Sequence, residues 1–361
     1  METKALIAMS GGVDSSVAAY LTKEAGYACT GATMRLYDNS DIGAEIGSTC
    51  CSLDDVEDAR AVAIRLGMRH YVFNFTDDFH EKVIGNFIHC YECCTTPNPC
   101  IQCNRYLKFD HLLRRGLELG CDYVVTGHYA RIRRDENTGR YLLYKAADLS
   151  KDQSYVLYSL TQHQLSHTLF PLGEMTKAEA RQIAEAQGFI NARKKDSQDI
   201  CFIPDGDYVA FMERYTGKKY APGDYLDMKG KVVGRHRGAV CYTLGQRKGL
   251  NLAMGAPVYV VSKDMEKNTV TVGPNEALFS TTLMADDWNW FPFPELTAPL
   301  EVTAKARYNQ APQPATVYPA ENGRARVVFH QPQRALTPGQ AVVLYQDDMV
   351  VGGGTITDVL K

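Results

Sequence analysis

Two kinds of residues in this chain are able to do chemistry: a glycine–serine loop near the N-terminus and a set of cysteines further along. The loop Ser10–Ser16 reads Ser-Gly-Gly-Val-Asp-Ser-Ser and joins a predicted strand to a predicted helix. Glycines let a backbone approach a phosphate closely, and the N–H groups at the start of a helix favour an anion. A tight turn capped by serines is the alternative. The strand before the loop and the helix after it favour a phosphate site.

This loop matches neither of the two common phosphate-binding motifs. No Gly-Lys-Ser/Thr follows it, so no lysine would reach a γ-phosphate, and it lacks the Gly-x-Gly-x-x-Gly pattern. It resembles the PP-loop of ATP pyrophosphatases, which cleave ATP between the α- and β-phosphates. The resemblance implies adenylation of a substrate oxygen, with Mg²⁺ as counter-ion of the leaving pyrophosphate. The residues it implies for ATP binding are Ala8, Met9, Ser10, Gly11, Gly12, Val13, Asp14, Ser15, Met34 and Gly127.

Eleven cysteines are unevenly distributed along the chain. They make up roughly 3% of the residues, below the ~8–10% of a disulfide scaffold, so their crowding indicates catalysis or metal binding. Cys103 precedes a helix predicted to begin near Arg105, whose N-terminus would lower the pKa of the thiol. Cys201 stands alone in an apolar run, where a buried small hydrophobe is the alternative. The crowded cysteines are Cys90, Cys93, Cys94, Cys100 and Cys103.

Further motifs, kept in one order along the chain, extend the resemblance to a family. Together with the loop they resemble the tRNA-specific 2-thiouridylases, and the similarity runs from Ala8 to the Gly352–Gly354 stretch. It implies ATP-dependent 2-thiolation of the wobble uridine in tRNA anticodons, giving 2-thiouridine, AMP and pyrophosphate. The motifs are Asn98–Asn104, Thr126–Tyr129, Lys151–Tyr155, Asp199–Ile203 and Leu244–Leu250.

The resemblance assigns the sulfur chemistry to two thiols. Cys103 is implied as the nucleophile and Cys201 as the residue that carries sulfur as a persulfide. Adenylation makes the C2 oxygen of uridine leave as AMP, and the second thiol splits the S–S bond, leaving a Cys103–Cys201 disulfide to be reduced later. The expected sulfur donor is a cysteine desulfurase or a sulfur-relay protein.

Cys100 departs from the family pattern, because many relatives have Asp at this position, proposed as an acid/base near the target base. Cys100, Cys103 and Cys201 therefore allow an alternative that resembles the cluster-dependent tRNA thiolases. In that alternative they hold three irons of a [4Fe–4S] cluster and leave the fourth iron open for sulfide.

A structural zinc site is a second alternative for the crowded cysteines. The Cys90/Cys93 and Cys100/Cys103 pairs are separated by fewer residues than the ~15–20 of common zinc ribbons. A closed zinc site would also use Cys103 as a ligand, and the thiol could then not act as a nucleophile. The remaining cysteines are therefore interpreted as structural or incidental: Cys50, Cys51, Cys90, Cys93 and Cys94.

A tRNA substrate must dock on a chain with 39 basic and 42 acidic residues, a net charge of −3. Local basic groups occur at 131–134, 193–195, 235–237 and 247–248, where solvated surface is the alternative. A wobble base already lies in a loop, so extruding it costs little. His128 would act as a general base or simply fix the strand end. The resemblance implies tRNA contacts by His128, Lys151, Asp152, Gln153, Arg307, Tyr308 and Gln340, and a target-base pocket of Asn98, Pro99 and Cys100.

Alternating strands and helices in the first half must position these groups. This alternation predicts an α/β fold with a doubly wound parallel sheet, which binds its ligand at the carboxyl ends of the strands. By resemblance it is a PP-loop, adenine nucleotide α-hydrolase-like domain. The predicted strands are Lys4–Ser10, Tyr27–Leu36, Tyr71–Phe75 and Asp122–Thr126, and the predicted helices are Val13–Ala25, Ser52–Leu66, Phe79–Tyr91, Tyr106–Leu119 and Thr176–Gln187.

The residue pattern changes in the second half of the chain. From Pro204, glycines punctuate short β-type runs, which predicts a small mixed α/β domain. From Phe279, strand-like pieces separated by Pro, Gly and Asn predict a C-terminal β-barrel. The predicted domains are 1–205, 206–277 and 278–361, and the predicted barrel strands are Leu300–Arg307, Ala315–Tyr318, Ala325–His330, Ala341–Tyr345 and Met349–Val351.

The composition excludes a disordered, collagen-like or coiled-coil protein. The 361 residues are 45% hydrophobic and 22% charged, as in globular proteins. No apolar stretch approaches ~18 residues, so we expect no membrane span and a cytoplasmic protein. Two rival functions remain open: another PP-loop ligase, such as a nucleotide synthetase or a lysidine synthase, and a metal-stabilised RNA-binding protein without catalysis. The first needs no paired thiols, and the second would release no pyrophosphate.

Overall fold

The computed structural model describes residues 2–38, 53–194 and 200–360. Some residues singled out in the sequence lie outside these described residues. They are Cys50, Cys51, Ser52 at the start of a predicted helix, Lys195 and the motif residue Asp199.

A five-stranded parallel sheet organises the first half of the chain. The first seven strands in chain order include β5 and β6, which do not belong to this sheet. They are β1 Lys4–Ala8, β2 Ala28–Arg35, β3 Arg69–Asn74, β4 Tyr123–Val125, β5 Arg131–Arg134, β6 Tyr141–Tyr144 and β7 Thr168–Leu169. The sheet has the order β3-β2-β1-β4-β7, so its topological switch point lies between the carboxyl ends of β1 and β4. The predicted doubly wound α/β fold is confirmed, and the predicted strands overlap β1 to β4.

Helices cover the sheet. They are α1 Val13–Glu24, α2 Leu53–Arg65, α3 Thr76–Phe79, α4 Asn86–Glu92, α5 Pro99–Gln102, α6 Leu112–Glu118, α7 Gln162–Ser166, α8 Lys177–Ala186 and α9 Tyr208–Thr216. The π-helical segment His80–Gly85 joins α3 to α4, and the π-helical segment Cys103–His111 joins α5 to α6. The sequence predicted neither π-helical segment. Such segments are rare and frequently lie at functional sites.

A capping box forms the N-terminus of α8, at the start of the helix predicted over Thr176–Gln187. The Thr176 hydroxyl accepts a hydrogen bond from the Glu179 amide at 3.3 Å, and the Glu179 carboxylate accepts one from the Thr176 amide at 2.7 Å. The two bonds satisfy two N–H groups at the helix start. They therefore fix where α8, and with it Lys177, begins.

The middle of the chain forms a four-stranded sheet from β8 Gly223–Leu226, β9 Val232–His236, β10 Tyr259–Asp264 and β11 Thr269–Gly273. The prediction of a small mixed domain is confirmed, but α9 was missed. Its signals were present in the sequence, because the Asp207 carboxylate caps the Ala210 amide at 3.0 Å and Gly217 ends the helix with φ of +68°.

Six strands close the predicted C-terminal barrel. They are β12 Phe279–Trp290, β13 Leu300–Lys305, β14 Gln313–Pro319, β15 Ala325–Arg334, β16 Ala341–Gln346 and β17 Met349–Leu360, and β17 pairs back onto β12. The sequence missed β12 and ended the last strand too early, at its glycines. A Cβ on Gly352 would stand 2.7 Å from Trp290, and one on Gly354 2.8 Å from Trp288. Glycine is therefore required there by packing rather than by a turn.

The barrel is continuous with the first half of the chain. The β5–β6 hairpin adds to the barrel sheet through the pairing of Tyr144 with Met349. A hydrophobic cluster that includes Tyr155, Phe291 and Tyr345 lies beneath this junction. In the part of the chain that is described, no helix is long and apolar enough to cross a membrane.

Candidate active site

The glycine–serine loop lies at the switch point of the sheet, between β1 and α1. Gly11 has φ of +71°, and a Cβ there would stand 2.7 Å from the Cα of Asp55. Gly127, just after β4, approaches the loop equally closely, since its Cβ would stand 2.7 Å from the Ser15 nitrogen. Both glycines are thus required by close contact. These contacts bring the predicted residue Gly127 onto the predicted loop.

Hydrogen bonds hold the loop in shape and leave the helix start uncapped. The Ser15 and Ser16 hydroxyls each donate to the Gly12 carbonyl at 3.0 Å. Asn191 donates to the Gly11 carbonyl and to the Ser16 hydroxyl, both at 2.9 Å. Among the residues that the structure describes, no side chain caps α1 at Gly12, so its first N–H groups are available to an anion.

A lysine that the sequence analysis missed neutralises the acidic residue of the loop. The Lys177 ammonium, at the start of α8, contacts both carboxylate oxygens of Asp14, at 2.7 and 2.8 Å. The Tyr129 hydroxyl donates to the same carboxylate at 2.8 Å. The Lys177 side chain is only 11% exposed. The fold thus places beside the loop the cation that its sequence lacks.

A chain of hydrogen bonds runs from the loop to the crowded cysteines. Tyr129 exchanges two 2.9 Å bonds with Gln153: its amide donates to the Gln153 side chain, and its carbonyl accepts from the Gln153 amide. Asp152 accepts from the Ala146 and Ser154 amides, both at 3.1 Å. These bonds give two predicted tRNA-binding residues structural partners within the site.

The segment that follows Gln153 contacts the cysteine-bearing helix directly. Buried Asn104, next to Cys103, donates to the Val156 carbonyl at 3.0 Å. The two ends of the site are therefore joined through a continuous set of ordered residues.

The helix that carries the cysteines begins earlier than the sequence predicted. A start near Arg105 is wrong, because the helical run begins at Pro99, whose ring suits the first helical position. The first turn therefore contains exposed Cys100, whereas half-buried Cys103 opens the π-helical segment one turn later. The effect of a helix terminus falls off within one turn. The predicted dipole acts on Cys100 more than on Cys103.

Cys201 is attached to the carboxyl end of the sheet. The Tyr37 hydroxyl, just beyond β2, donates to the Cys201 carbonyl at 2.9 Å. Cys103 and Cys201 pack against the same hydrophobic cluster as Ala8 and Met34. One core therefore supports the two predicted sulfur-bearing residues and two predicted nucleotide-binding residues.

The crowded cysteines make separate contacts rather than one metal site. The Cys93 sulfur lies 3.7 Å from His89, and the Cys94 thiol donates to the Lys263 carbonyl at 3.6 Å. Within residues 2–38, 53–194 and 200–360, no three His, Cys, Asp or Glu side chains converge on a point where they could hold a metal ion. The described geometry gives the zinc alternative no support.

Two predicted tRNA-binding residues from the barrel are held by the protein itself. Gln340 donates to the Thr96 and Pro97 carbonyls at 2.9 and 3.2 Å, which secures the loop before the cysteine helix. Arg307 donates to the Ala335 carbonyl and to the Thr337 hydroxyl. The barrel thus supports the predicted target-base pocket from outside.

The basic group at 131–134 is largely neutralised. Arg131 pairs with Asp348 at 3.2 Å and with Glu174 at 3.5 Å, and Arg133 pairs with Glu174 at 3.3 Å. Its residues belong to the β5–β6 hairpin, where they hold the barrel junction. Arg131, with a side chain only 15% exposed, therefore has a structural role rather than that of solvated surface.

His128 is buried at the end of β4. Its ring lies among Phe109 and Phe170, and its Nδ1 is 2.7 Å from the Thr126 hydroxyl. Burial, assisted by the charge of Lys108, holds the pKa of His128 well below its usual value. The imidazole is therefore neutral at physiological pH, which suits a base or a hydrogen-bonding group.

This burial predicts a pH dependence of stability. The unfolded chain binds a proton on His128 near pH 6.5, whereas the folded chain does not, so stability is lost as the pH falls below about 6.5. We expect the free energy of unfolding to drop faster in the wild type than in His128→Gln, by up to ~1.4 kcal/mol per pH unit. Denaturant titrations at a series of pH values would measure it. Parallel curves would contradict the prediction.

Three family models match the chain in succession. Their descriptions are tRNA methyl transferase HUP domain for residues 3–205, tRNA methyl transferase PRC-barrel domain for 209–274, and aminomethyltransferase beta-barrel domain for 280–356. They account for the parallel sheet, the middle sheet and the closed barrel, respectively.

Curated relatives match nearly the whole chain. A tRNA-specific 2-thiouridylase MnmA from Heliobacterium modesticaldum is 52% identical over 99% of this chain and 93% of its own. Its counterparts from Clostridioides difficile and Halothermothrix orenii are 48% and 49% identical, over 99% and 98% of this chain and 98% and 99% of their own. Two of the three family models carry the words tRNA methyl transferase, whereas these three relatives are named for 2-thiolation.

Proposed function

Because this chain belongs to the tRNA-specific 2-thiouridylase family, we propose how its residues carry out the reaction of that family. The chain is an ATP-dependent tRNA sulfurtransferase that forms 2-thiouridine. The wobble position as target, the roles of individual residues and the sulfur donor are our proposals. The observation that carries them is the hydrogen-bonded connection from the phosphate loop, through Tyr129 and Gln153, to the helix of Cys103.

ATP binds at the loop between β1 and α1. The N–H groups of α1 face the phosphates, and Lys177 supplies positive charge where pyrophosphate leaves. Asp14 holds this ammonium and is also an oxygen ligand of the kind that Mg²⁺ prefers, so its carboxylate would help to hold a bound Mg²⁺, which would supply positive charge to the leaving pyrophosphate. The C2 oxygen of uridine attacks the α-phosphorus, and the P–O bond to pyrophosphate breaks. The oxygen is then held as an AMP ester.

Sulfur transfer uses the two thiols in turn. The terminal sulfur of a Cys201 persulfide attacks C2, and the C2–O bond breaks with release of AMP. The Cys103 thiolate then attacks the Cys201 sulfur, and the electron pair of the broken S–S bond stays on the transferred sulfur as C2=S. The products are 2-thiouridine and a Cys103–Cys201 disulfide. A thiol reductant returns the disulfide to two thiols with two electrons, and a cysteine desulfurase or relay protein then renews the persulfide. When sulfide is the donor, it attacks the Cys201 sulfur of the disulfide, which gives the Cys201 persulfide and releases the Cys103 thiolate.

The cluster alternative does not fit the described geometry. Cys100, Cys103 and Cys201 all lie in the described part of the chain, and they do not converge as a three-thiolate site there. Cys100 is exposed in the first helical turn, while the other two pack against a hydrophobic cluster. We therefore derive no step through a cluster, and Cys100 takes the acid/base position.

Cys100→Asp tests this assignment. A carboxylate in the position where many relatives have Asp should keep the activity or raise it by up to ~10²-fold, the lower range for a positioned acid or base. A cluster-dependent enzyme would lose activity along with a ligand. Thiouridine formation by anaerobically purified protein, measured beside iron content, separates the two cases.

The overall function is tested with ATP, sulfide and unmodified anticodon transcripts, scored for thiouridine by mass spectrometry. We expect product only with ATP, and none with an analogue whose α,β-bridging oxygen is a methylene group. ATP-independent product would exclude adenylation. A wild-type enzyme that releases pyrophosphate without thiolating RNA would favour another PP-loop ligase.

Domain organisation follows the same assignment. We propose that segment 1–205 binds ATP and carries both thiols, and that segments 206–277 and 278–361 hold the RNA against it. The bonds from Gln340 to the loop before Cys100 support this division, because they couple the barrel to the pocket.

A further inference from the structure

A lysine at the end of β13 occupies an unusual environment. The Lys305 ammonium lies 5.6 Å from the ring centre of Tyr155 and 5.7 Å from that of Tyr308. The two rings are 5.8 Å apart and meet edge to face, at 64°. Cation and rings therefore form one assembly, which we call the Lys305 cage and define as Lys305, Tyr155 and Tyr308.

The Lys305 cage contains no anion that neutralises its cation. Two partly buried lysines elsewhere in the fold have one: Lys177 contacts Asp14 at 2.7 Å and Lys194 contacts Asp55 at 2.6 Å. Among the described residues, no carboxylate oxygen lies within 4.0 Å of the Lys305 ammonium. Burial lowers the pKa of Lys305, an effect that the charge of Asp152 opposes. A partly desolvated cation of this kind is available for an external anion.

The cage borders the proposed target-base pocket. Burial raises the pKa of Tyr308, and the neighbouring charges of Asp152 and Cys100 act in the same direction. Hydrogen bonds tie the cage to this pocket: Tyr155 donates to the Ala341 carbonyl at 2.9 Å, and the adjacent Gln340 donates to the backbone carbonyls just before the pocket. The Tyr308 ring is 39% exposed, while Tyr155 beneath it is fully buried. The cage thus presents one accessible aromatic ring and one cation on a rigid base.

We propose that Lys305 binds a backbone phosphate of the RNA next to the target nucleotide. The cage holds the Tyr308 ring so that the extruded base stacks on it. This inference rests on the proposed function, and it adds a substrate-binding residue that the sequence motifs did not identify. A phosphate fits because it supplies the missing anion, and an aromatic ring beside it accepts any base.

Salt dependence of RNA binding tests the proposal without turnover. For Lys305→Gln we expect about tenfold weaker binding of an unmodified anticodon stem-loop. We also expect the slope of log K against log salt to fall in magnitude by about 0.7–0.9, the value for one phosphate contact. Lys305→Arg should keep both the affinity and the salt slope of the wild type. The matched control is Lys219→Gln, a surface lysine that contacts Glu213 at 2.9 Å and should leave the slope unchanged.

A Lys305→Gln slope equal to that of the wild type would overturn the inference, whether or not binding weakens. Weaker binding at that unchanged slope would mean that Lys305 only packs against the tyrosines. Failure of the proposed function is a separate result: wild type that binds RNA but makes no thiouridine would refute that function while leaving the slope measurement valid.

Discussion

Cys103→Ser and Cys201→Ser are each expected to lower the rate of thiouridine formation by ~10³-fold or more. Serine keeps the size of the side chain, but its oxygen can neither carry transferable sulfur nor split an S–S bond. Because the two thiols act as one unit, the double variant should be no worse than either single variant. Thiouridine per enzyme, measured by mass spectrometry with sulfide and ATP, gives the result.

The matched control is Cys93→Ser. Cys93 is an exposed free thiol beside His89, outside the relay, and its replacement should leave the rate unchanged. ATP binding by calorimetry should also survive in both active-site variants, which shows that they fold. Activity in both Cys103→Ser and Cys201→Ser would refute the two-thiol mechanism.

Gly11→Ala is expected to lower kcat/KM by ~10²-fold or more, the scale that a displaced binding group produces. Gly11 has φ of +71° and approaches the Asp55 backbone so closely that a Cβ must push the loop away from α2. The displaced loop would no longer align its N–H groups with the phosphates. Steady-state kinetics with varied ATP would measure the loss.

Gly120→Ala is the control for backbone strain. Gly120 has φ of +73°, almost the same as Gly11, but a Cβ there meets nothing within 4 Å. Both alanine variants should lose about 1–2 kcal/mol of stability from the left-handed backbone. Only Gly11→Ala should lose activity. Equal activity in the two variants would show that contact between the loop and Asp55 is unimportant for catalysis.

The features that could be predicted from the sequence are those that depend on residues adjacent in the chain. The Ser10–Ser16 loop could be interpreted because its glycines, its strand and its helix are adjacent, and hydrophobic periodicity revealed strands β1 to β4. Errors arose where local pattern misleads. Glycines 352–354 indicated a turn, although they lie in β17 beneath two tryptophans, and Pro99 begins a helix that was expected six residues later.

The contacts that complete the site were decided by tertiary structure alone. Lys177 meets Asp14 across 163 positions of sequence, and Tyr37 meets Cys201 across 164. Lys305 meets Tyr155 across a comparable distance along the chain. Periodicity in a sequence shows which face of an element is buried, but not which distant element covers it. The residues that we propose as reacting groups could therefore be predicted from the sequence, whereas the partners that neutralise and support them were set only when the sheet, helices and barrel packed together.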